Sequence, residues 1–282
     1  MHAHRPLHRD LAQPVRSLAR WIAAAALALH AALAPATNVT TDVTDVWWPS
    51  SEVGWGIQLV QNADVVFATM YVYGTENQPL FFVALLENPP GSTGVWTGTL
   101  YVSHGPWFGA AWSPALAGEV PVGTMTFALT GIGTGTLDYT VGATSVSKTI
   151  ERQALKLENN DGSYRFTHTW VATGAGCAAS DAFTDPGAVT GNMSILHVEA
   201  DTAAISLQWR LAPVELCSVP ATYLQFGRLG QYQGTINCPT RSGTFTMFEI
   251  VNRVKGLSGR YTVDWSYGCR YQGRFAGVSN VP

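Results

Sequence analysis

The segment Trp47-Trp48-Pro49-Ser-Ser-Glu52-Val-Gly54-Trp55-Gly56 is the densest concentration of residues able to do chemistry, and Gln58, Tyr71, Tyr73, Phe81 and Phe82 follow it closely. Three indoles within nine residues, broken by Pro49 and by the Gly54/Gly56 pair, predict a loop rather than a strand. Two fates are open to its rings. Plugging a barrel end, each buries on the order of 200 Å² of largely apolar area. Lining a groove, they offer flat platforms to sugars or aliphatic groups, with Glu52 and Gln58 supplying hydrogen bonds. Trp47, Trp48, Glu52, Trp55, Gln58, Tyr71 and Tyr73 are therefore the candidate binding residues. Large aromatics are mostly core residues, which favours the plug.

Glu52 also has two possible roles. A closed meander brings its first and last strands together, so Glu52 and Arg152 are expected to pair across that seam as a structural ion pair. Alternatively Glu52 is a free carboxylate beside stacked indoles, the one acid nameable for a hydrolase acting on glycan or peptide. No Gly-x-Ser-x-Gly elbow or phosphate loop occurs. His104, His168 and His197 read as ordinary turn and strand residues. No catalytic residue, metal site or cofactor is assigned.

Cys177, Cys217, Cys238 and Cys269 are an even set with 39, 20 and 30 residues between them, lacking the close pairs of a zinc site. In a chain that reads as exported, two disulfides follow. Three pairings are possible. Cys217 and Cys238 flank one hairpin-like stretch, which favours joining them and leaves Cys177 for Cys269.

The Trp47–Gly56 segment, together with Gln58-Leu-Val-Gln61, Val66-Phe-Ala-Thr69, Tyr71-Val-Tyr73, Gly98-Thr-Leu-Tyr101, Gly105-Pro106 and Ile150-Glu-Arg152-Gln153, resembles the motif set of a family of uncharacterised exported bacterial β-domain proteins. The resemblance covers about residues 45–157 and implies an exported β domain without implying an activity or ligand. Phe81 or Phe82 stands where that family carries Trp, after the turn Thr75-Glu-Asn-Gln-Pro79. The later cysteines, with Gly243-Thr-Phe245 and Gly273-Arg-Phe275, resemble a Cys-bearing second domain of related exported proteins.

The elements that must position these residues are short β-prone runs separated by Gly, Pro and Asn turns. Seven strands are expected before residue 158 and eight after residue 163. In Gly123–Thr130, Met125, Phe127 and Leu129 alternate with Thr124, Thr126 and Thr130, so one face is buried. Val65–Tyr73 and Leu80–Leu86 are apolar on both faces, which predicts that something covers that part of the sheet. Four Gly-x-aromatic runs, at 230, 243, 259 and 273, suit the corners of a small barrel. The polar stretch Glu158–Ser163 marks a linker between an N-terminal β domain, residues 45–157, and a Cys-bearing one, residues 164–282. The expected fold is all-β, two antiparallel meanders, each a small barrel or barrel-like sandwich.

Residues 1–36 read as a signal peptide: Arg5, Arg9, Arg16 and Arg20 precede an apolar run from Trp21 to Leu33, and Ala34 and Ala36 suit cleavage after Ala36. A Thr-rich lead spans residues 37–44, and no transmembrane segment is expected after signal removal. Charged residues make up only 12% of the chain, and the part after the signal carries 12 basic and 18 acidic side chains. That balance excludes electrostatic attraction to nucleic acid. The reading is an exported protein, periplasmic or extracellular, that is a non-enzymatic binding or envelope-associated module, with a glycan or envelope component as partner. An extracellular hydrolase and a purely structural or adhesive protein are the alternatives.

Overall fold

The computed structural model describes residues 42–181, 189–199, 201–209 and 215–279. The signal-peptide reading and all of the Thr-rich lead before residue 42 lie outside these residues. Among the described residues sixteen strands form two closed antiparallel barrels of eight, in each of which consecutive strands pair and the last pairs with the first. The first contains β1 Asp45–Trp48, β2 Gly56–Asn62, β3 Val65–Tyr73, β4 Pro79–Glu87, β5 Val95–His104, β6 Gly118–Leu129, β7 Thr134–Val141 and β8 Thr144–Arg152. The second contains β9 Gly162–Thr173, β10 Val189–Glu199, β11 Thr202–Trp209, β12 Glu215–Phe226, β13 Leu229–Asn237, β14 Ser242–Arg253, β15 Gly256–Trp265 and β16 Arg270–Ser279. Among the described residues no helix is long and apolar enough to cross a membrane.

The first barrel has eight strands where seven were expected. The extra strand is β1, which puts Trp47 and Trp48 on a strand rather than in a loop. Trp47 points inward and is fully buried, its ring edge-on to Phe127 at 5.0 Å and its Nε1 donating to the Val43 carbonyl at 2.9 Å. Ile57, Leu59, Val66, Met70, Leu100 and Leu137 fill the interior around it, so closure leaves no free edge and no lumen there. Outward residues of β2 to β4 are exposed rather than covered, contrary to the prediction from their two-sided apolarity. They shield one another across the strands instead, with Val60 opposite Phe67, Phe67 opposite Leu85 and Tyr71 opposite Phe81.

Closure of this barrel is narrow. The β1–β8 register consists of Trp47 opposite Arg152 and Trp48 opposite Glu151, supplemented by Gln153 N–H donating to the Val46 carbonyl at 2.8 Å. Arg152 reinforces it. The guanidinium lies 4.5 Å from the Trp47 ring centroid and donates to the Asp45 carboxylate at 3.1 Å and to the carbonyls of Ile132 and Asp42 at 2.8 and 2.6 Å. Burial pulls its affinity for a proton down and the Asp45 carboxylate pushes it back up; an arginine so placed keeps its charge. The expected Glu52–Arg152 pair is not formed. Glu52 belongs to the β1–β2 connection at one end of the barrel, whereas Arg152 ends β8 at the other, and Asp45 takes the seam position.

The same end meets the second barrel. Asp45 also accepts the backbone N–H of Arg228 at 3.0 Å, and Arg228 Nε donates to the Thr44 carbonyl at 2.8 Å while its terminal nitrogen pairs with Asp42. Gly227, at φ +58°, carries the β12–β13 turn so close to Asp45 that a Cβ there would overlap the carboxylate. The connection between barrels is pinned as well: Gln225 accepts from Glu158 N–H and donates to the Lys156 carbonyl, and Asn160 is buried against the Tyr232 hydroxyl.

In the second barrel, β9 and β12 alternate strictly, while register shifts interrupt β10, β13 and β14. β9 turns Tyr164, Phe166, His168 and Trp170 inward, and the aromatics of the four Gly-x-aromatic runs, Tyr232, Phe245, Tyr261 and Phe275, are all buried. A glycine two residues before such a ring leaves room for a neighbour's ring: at Gly273 a Cβ would press on the Tyr261 ring and the Thr169 carbonyl. Two disulfides, Cys217–Cys238 and Cys177–Cys269, close sequence separations of 21 and 92 and follow the pairing that the hairpin favoured. In the chain-entropy account they contribute about 3 and about 4 to 5 kcal/mol. They place the folding of this chain in an oxidising compartment.

Two expected outcomes follow from the seam and from His168. Arg152→Met should cost about 3–5 kcal/mol in chemical denaturation because it leaves Asp45 as an unpaired buried charge; combined with Asp45→Asn the loss should be less than additive, and combined with Glu52→Gln it should be additive. Burial holds the His168 imidazole down to about 4. The unfolded chain therefore binds the proton first, so this contribution is present above about pH 6.5 and is lost as pH falls towards 4, on the order of 3 kcal/mol in all. A His168→Phe variant should lack this part of the acid sensitivity in melting curves recorded from pH 7 to 4.

Candidate functional site

Among the described residues, side chains fill both barrel interiors, and the candidate site residues gather at a barrel end. The residual hollow in the second barrel, bounded by Phe166, His168, Met193, Met247 and Tyr261, is about 20 Å³, enough for a single water. The end of the first barrel away from the Arg152 seam collects the connections after β1, β3, β5 and β7, and it carries most of the residues singled out from the sequence.

The β1–β2 connection is a built corner. Pro49 is buried and its carbonyl accepts the Glu52 N–H at 2.9 Å, turning the chain back. Glu52 then accepts from Trp55 Nε1 at 3.0 Å and from Lys148 Nζ at 2.6 Å. The hydrogen bond from Lys148, followed by that from Trp55, holds the Glu52 carboxyl below the usual carboxylate range. Ionised and doubly engaged at neutral pH, it is a poor proton donor for a general-acid step. Tyr73 donates to the Gly54 carbonyl at 3.0 Å, and Gly54 has φ +109°, where a side chain is strained. At Gly56 a Cβ would lie 2.7 Å from the Trp47 carbonyl oxygen and 3.0 Å from the Tyr71 hydroxyl. The Trp-Trp-Pro-x-x-Glu-x-Gly-Trp-Gly pattern is thus accounted for by packing and backbone geometry: core ring, turn, carboxylate latch, one positive-φ glycine and one glycine set close against the Trp47 carbonyl.

Of the candidate binding residues, Glu52, Trp55, Tyr71 and Tyr73 are brought together at this corner. Trp47 is not available to a ligand, because it points into the core. Trp48 is half-buried on the outward side of β1, and Gln58 is exposed on β2 opposite Thr69, away from the latch. Trp47 follows the favoured plug reading, and the alternative, a groove of all three indoles, loses that ring because alternate residues of a strand face opposite sides.

The residues that sequence reasoning passed over lie at the same end of the barrel. Between β5 and β6, the loop Gly105–Ala117 exposes Trp107 (69%), Phe108 (95%) and Trp112 (71%). Trp107 and Phe108 are in ring contact at 5.5 Å, and Trp107 folds over Gly109 while Trp112 lies beside Gly105. Their signal was present: Gly105 to Gly118 contains three large aromatics and no charged residue. Tyr71, Tyr73 and Phe81 are exposed at the same barrel end, where β3 finishes and β4 begins.

Two polar clusters elsewhere are structural. Asp161, His197 and Tyr232 stand in acid–imidazole–hydroxyl order at 2.8 and 3.1 Å, but Tyr232 is fully buried and burial raises its pKa far above its usual value. The cluster ties the interbarrel connection to β10 and β13. Glu215 lies within metal-ligand reach of the sulfurs of Cys217 and Cys238. Those sulfurs form a disulfide and offer no thiolate, while Glu215 is taken up by Thr240 and Arg241. No protein-family model matches the chain, and no curated protein matches it either.

Gly56→Ala is expected to destabilise the protein by about 1–3 kcal/mol, the range for forcing a group into a filled space. Thermal melting with intact disulfides would measure it; an unchanged melting temperature would contradict the close approach at the β1–β2 corner.

Proposed function

We propose that this chain is an exported, non-enzymatic, envelope-associated module, periplasmic or extracellular, that attaches through the aromatic end of its first barrel. The observation that carries this reading is the exposure of Trp107, Phe108 and Trp112 on one loop. Scattered exposed apolar residues are ordinary in soluble proteins, but contiguous aromatic exposure of this kind marks interaction surfaces. Export is supported by the two disulfides, by the Arg-rich apolar N-terminal segment and by the resemblance of the Trp47–Gly56 segment to exported β-domain proteins. A hydrolase built on Glu52 draws no support from a carboxylate already engaged by Lys148 and Trp55.

The test is sedimentation of the purified exported chain with separated bacterial envelope fractions. The intact protein should partition with an envelope fraction, and a variant carrying Trp107→Ser, Phe108→Ser and Trp112→Ser should lose at least about tenfold in that partition, since each buried ring contributes about a factor of ten or more. Equal sedimentation of the two proteins, with equal melting temperatures, would overturn the assignment of attachment to this loop.

A further inference from the structure

We propose that the loop Gly105–Ala117 is a lipid-interface anchor that inserts its three aromatic rings into the headgroup region of a bilayer; this rests on the attachment reading above and names its partner. Three observations select lipid over other occupants. The first is chemical. Apart from the indole N–H groups, Ser113 is the only hydrogen-bonding side chain from Gly105 to Gly118. A sugar site needs directional polar partners beside its aromatic platform, and this loop has almost none. Trp, by contrast, settles at the boundary between headgroups and acyl chains, where its ring is in apolar surroundings and its N–H remains wet.

The second observation concerns the backbone. A polar main chain entering a lipid interface is costly unless its groups are bonded internally or absent. Ala110 N–H is donated to the Trp107 carbonyl at 2.9 Å, Leu116 N–H to Ser113 at 3.1 Å and Ala117 N–H to Pro114 at 3.3 Å. Pro106 and Pro114 carry no N–H at all. A reverse turn at the ring pair and a short 3-10 turn at Pro114–Leu116 thus reduce the polar groups the loop presents.

The third observation is continuity. Tyr71, Tyr73 and Phe81 are exposed at the same end of the barrel as the loop, which adds aromatic area to that end. Charge defines which lipid surface fits. The part of the chain after the signal is net acidic, and the loop has no Lys or Arg. Attraction to anionic headgroups is therefore not available, and insertion depends on apolar area alone. Binding should be as strong on zwitterionic as on anionic bilayers and insensitive to salt.

The experiment is co-sedimentation of the full exported chain with phosphatidylcholine vesicles and with vesicles containing phosphatidylglycerol, at low and high salt, with quenching by lipids brominated along the acyl chain as a depth readout. The wild-type protein should bind zwitterionic vesicles at both salt concentrations and be quenched. Phe108→Asp should lower partition at least about tenfold, as should Trp107→Ser with Trp112→Ser, while Phe108→Trp retains it. Melting temperatures should not change, because these rings are exposed. Failure of the wild type to bind, binding only to anionic vesicles at low salt, or binding undiminished in both variants would each overturn the lipid anchor. If vesicles fail but envelope sedimentation still depends on the loop, the partner is another envelope component and the attachment reading survives. If envelope sedimentation is also independent of the loop, both fall.

Discussion

Arg152 is held between the Trp47 ring and the Asp45 carboxylate, with carbonyls of Asp42 and Ile132 completing its shell. Much of the first barrel depends on that site because β1 is only four residues long and meets β8 through two opposed pairs. A strand so short has little ladder to hold it. The cation supplies what the ladder lacks, tying β1, the turn before β7 and the end of β8 to one point. Because Asp45 also receives the Arg228 N–H, the junction that closes the first barrel is the junction that receives the second. A charge buried this deeply must keep all its partners, which makes the site a specifier of geometry more than a net source of stability.

The second barrel solves closure differently. Its first and last strands pair over ten residues, from Arg270 opposite Thr173 to Ser279 opposite Tyr164, so its seam needs no ionic clamp. The disulfides lie at the end away from the interbarrel junction and tie the start of β12 to the end of β13 and the segment after β9 to the start of β16. Hydrogen-bonded tyrosines and Asn160 organise the other end. The His168 imidazole is one of the polar side chains buried in this half of the chain, with those of Asn160, Asp181 and Glu215. Its place is set by the two-residue period of β9, and it donates or accepts at the Tyr261 hydroxyl at 2.9 Å.

Filling both interiors has a consequence for function. Among the described residues, the inward positions are occupied by Trp47, Trp96 and Phe127, or by Tyr232, Tyr261 and Tyr271, and the hollow left inside the second barrel is of the size of one water. What remains variable are the connections, and rigid barrels present them at fixed positions. The tight latch of Glu52, Trp55 and Lys148 braces one of these connections; the uncharged loop beyond β5 exposes Trp107, Phe108 and Trp112.

Local sequence determined the strands, because alternation such as Met125-x-Phe127-x-Leu129 and turns rich in Gly and Asn act through near neighbours. It also determined the disulfide chemistry, since an even set of widely spaced cysteines has few other uses. The roles within the Trp47–Gly56 segment were not legible, for a physical reason: which of two adjacent tryptophans faces the core depends on the register of β1 against β2 and β8, and register is a property of pairs of strands. The same holds for Arg152. Its partner is chosen by which strand end lies beside it after closure, so Glu52, nearer in the expected scheme, was replaced by Asp45. Only the tertiary structure could separate buried rings from exposed ones: Trp47 and Trp107 are each followed by a second large aromatic, and they differ in that the strands of the barrel enclose Trp47.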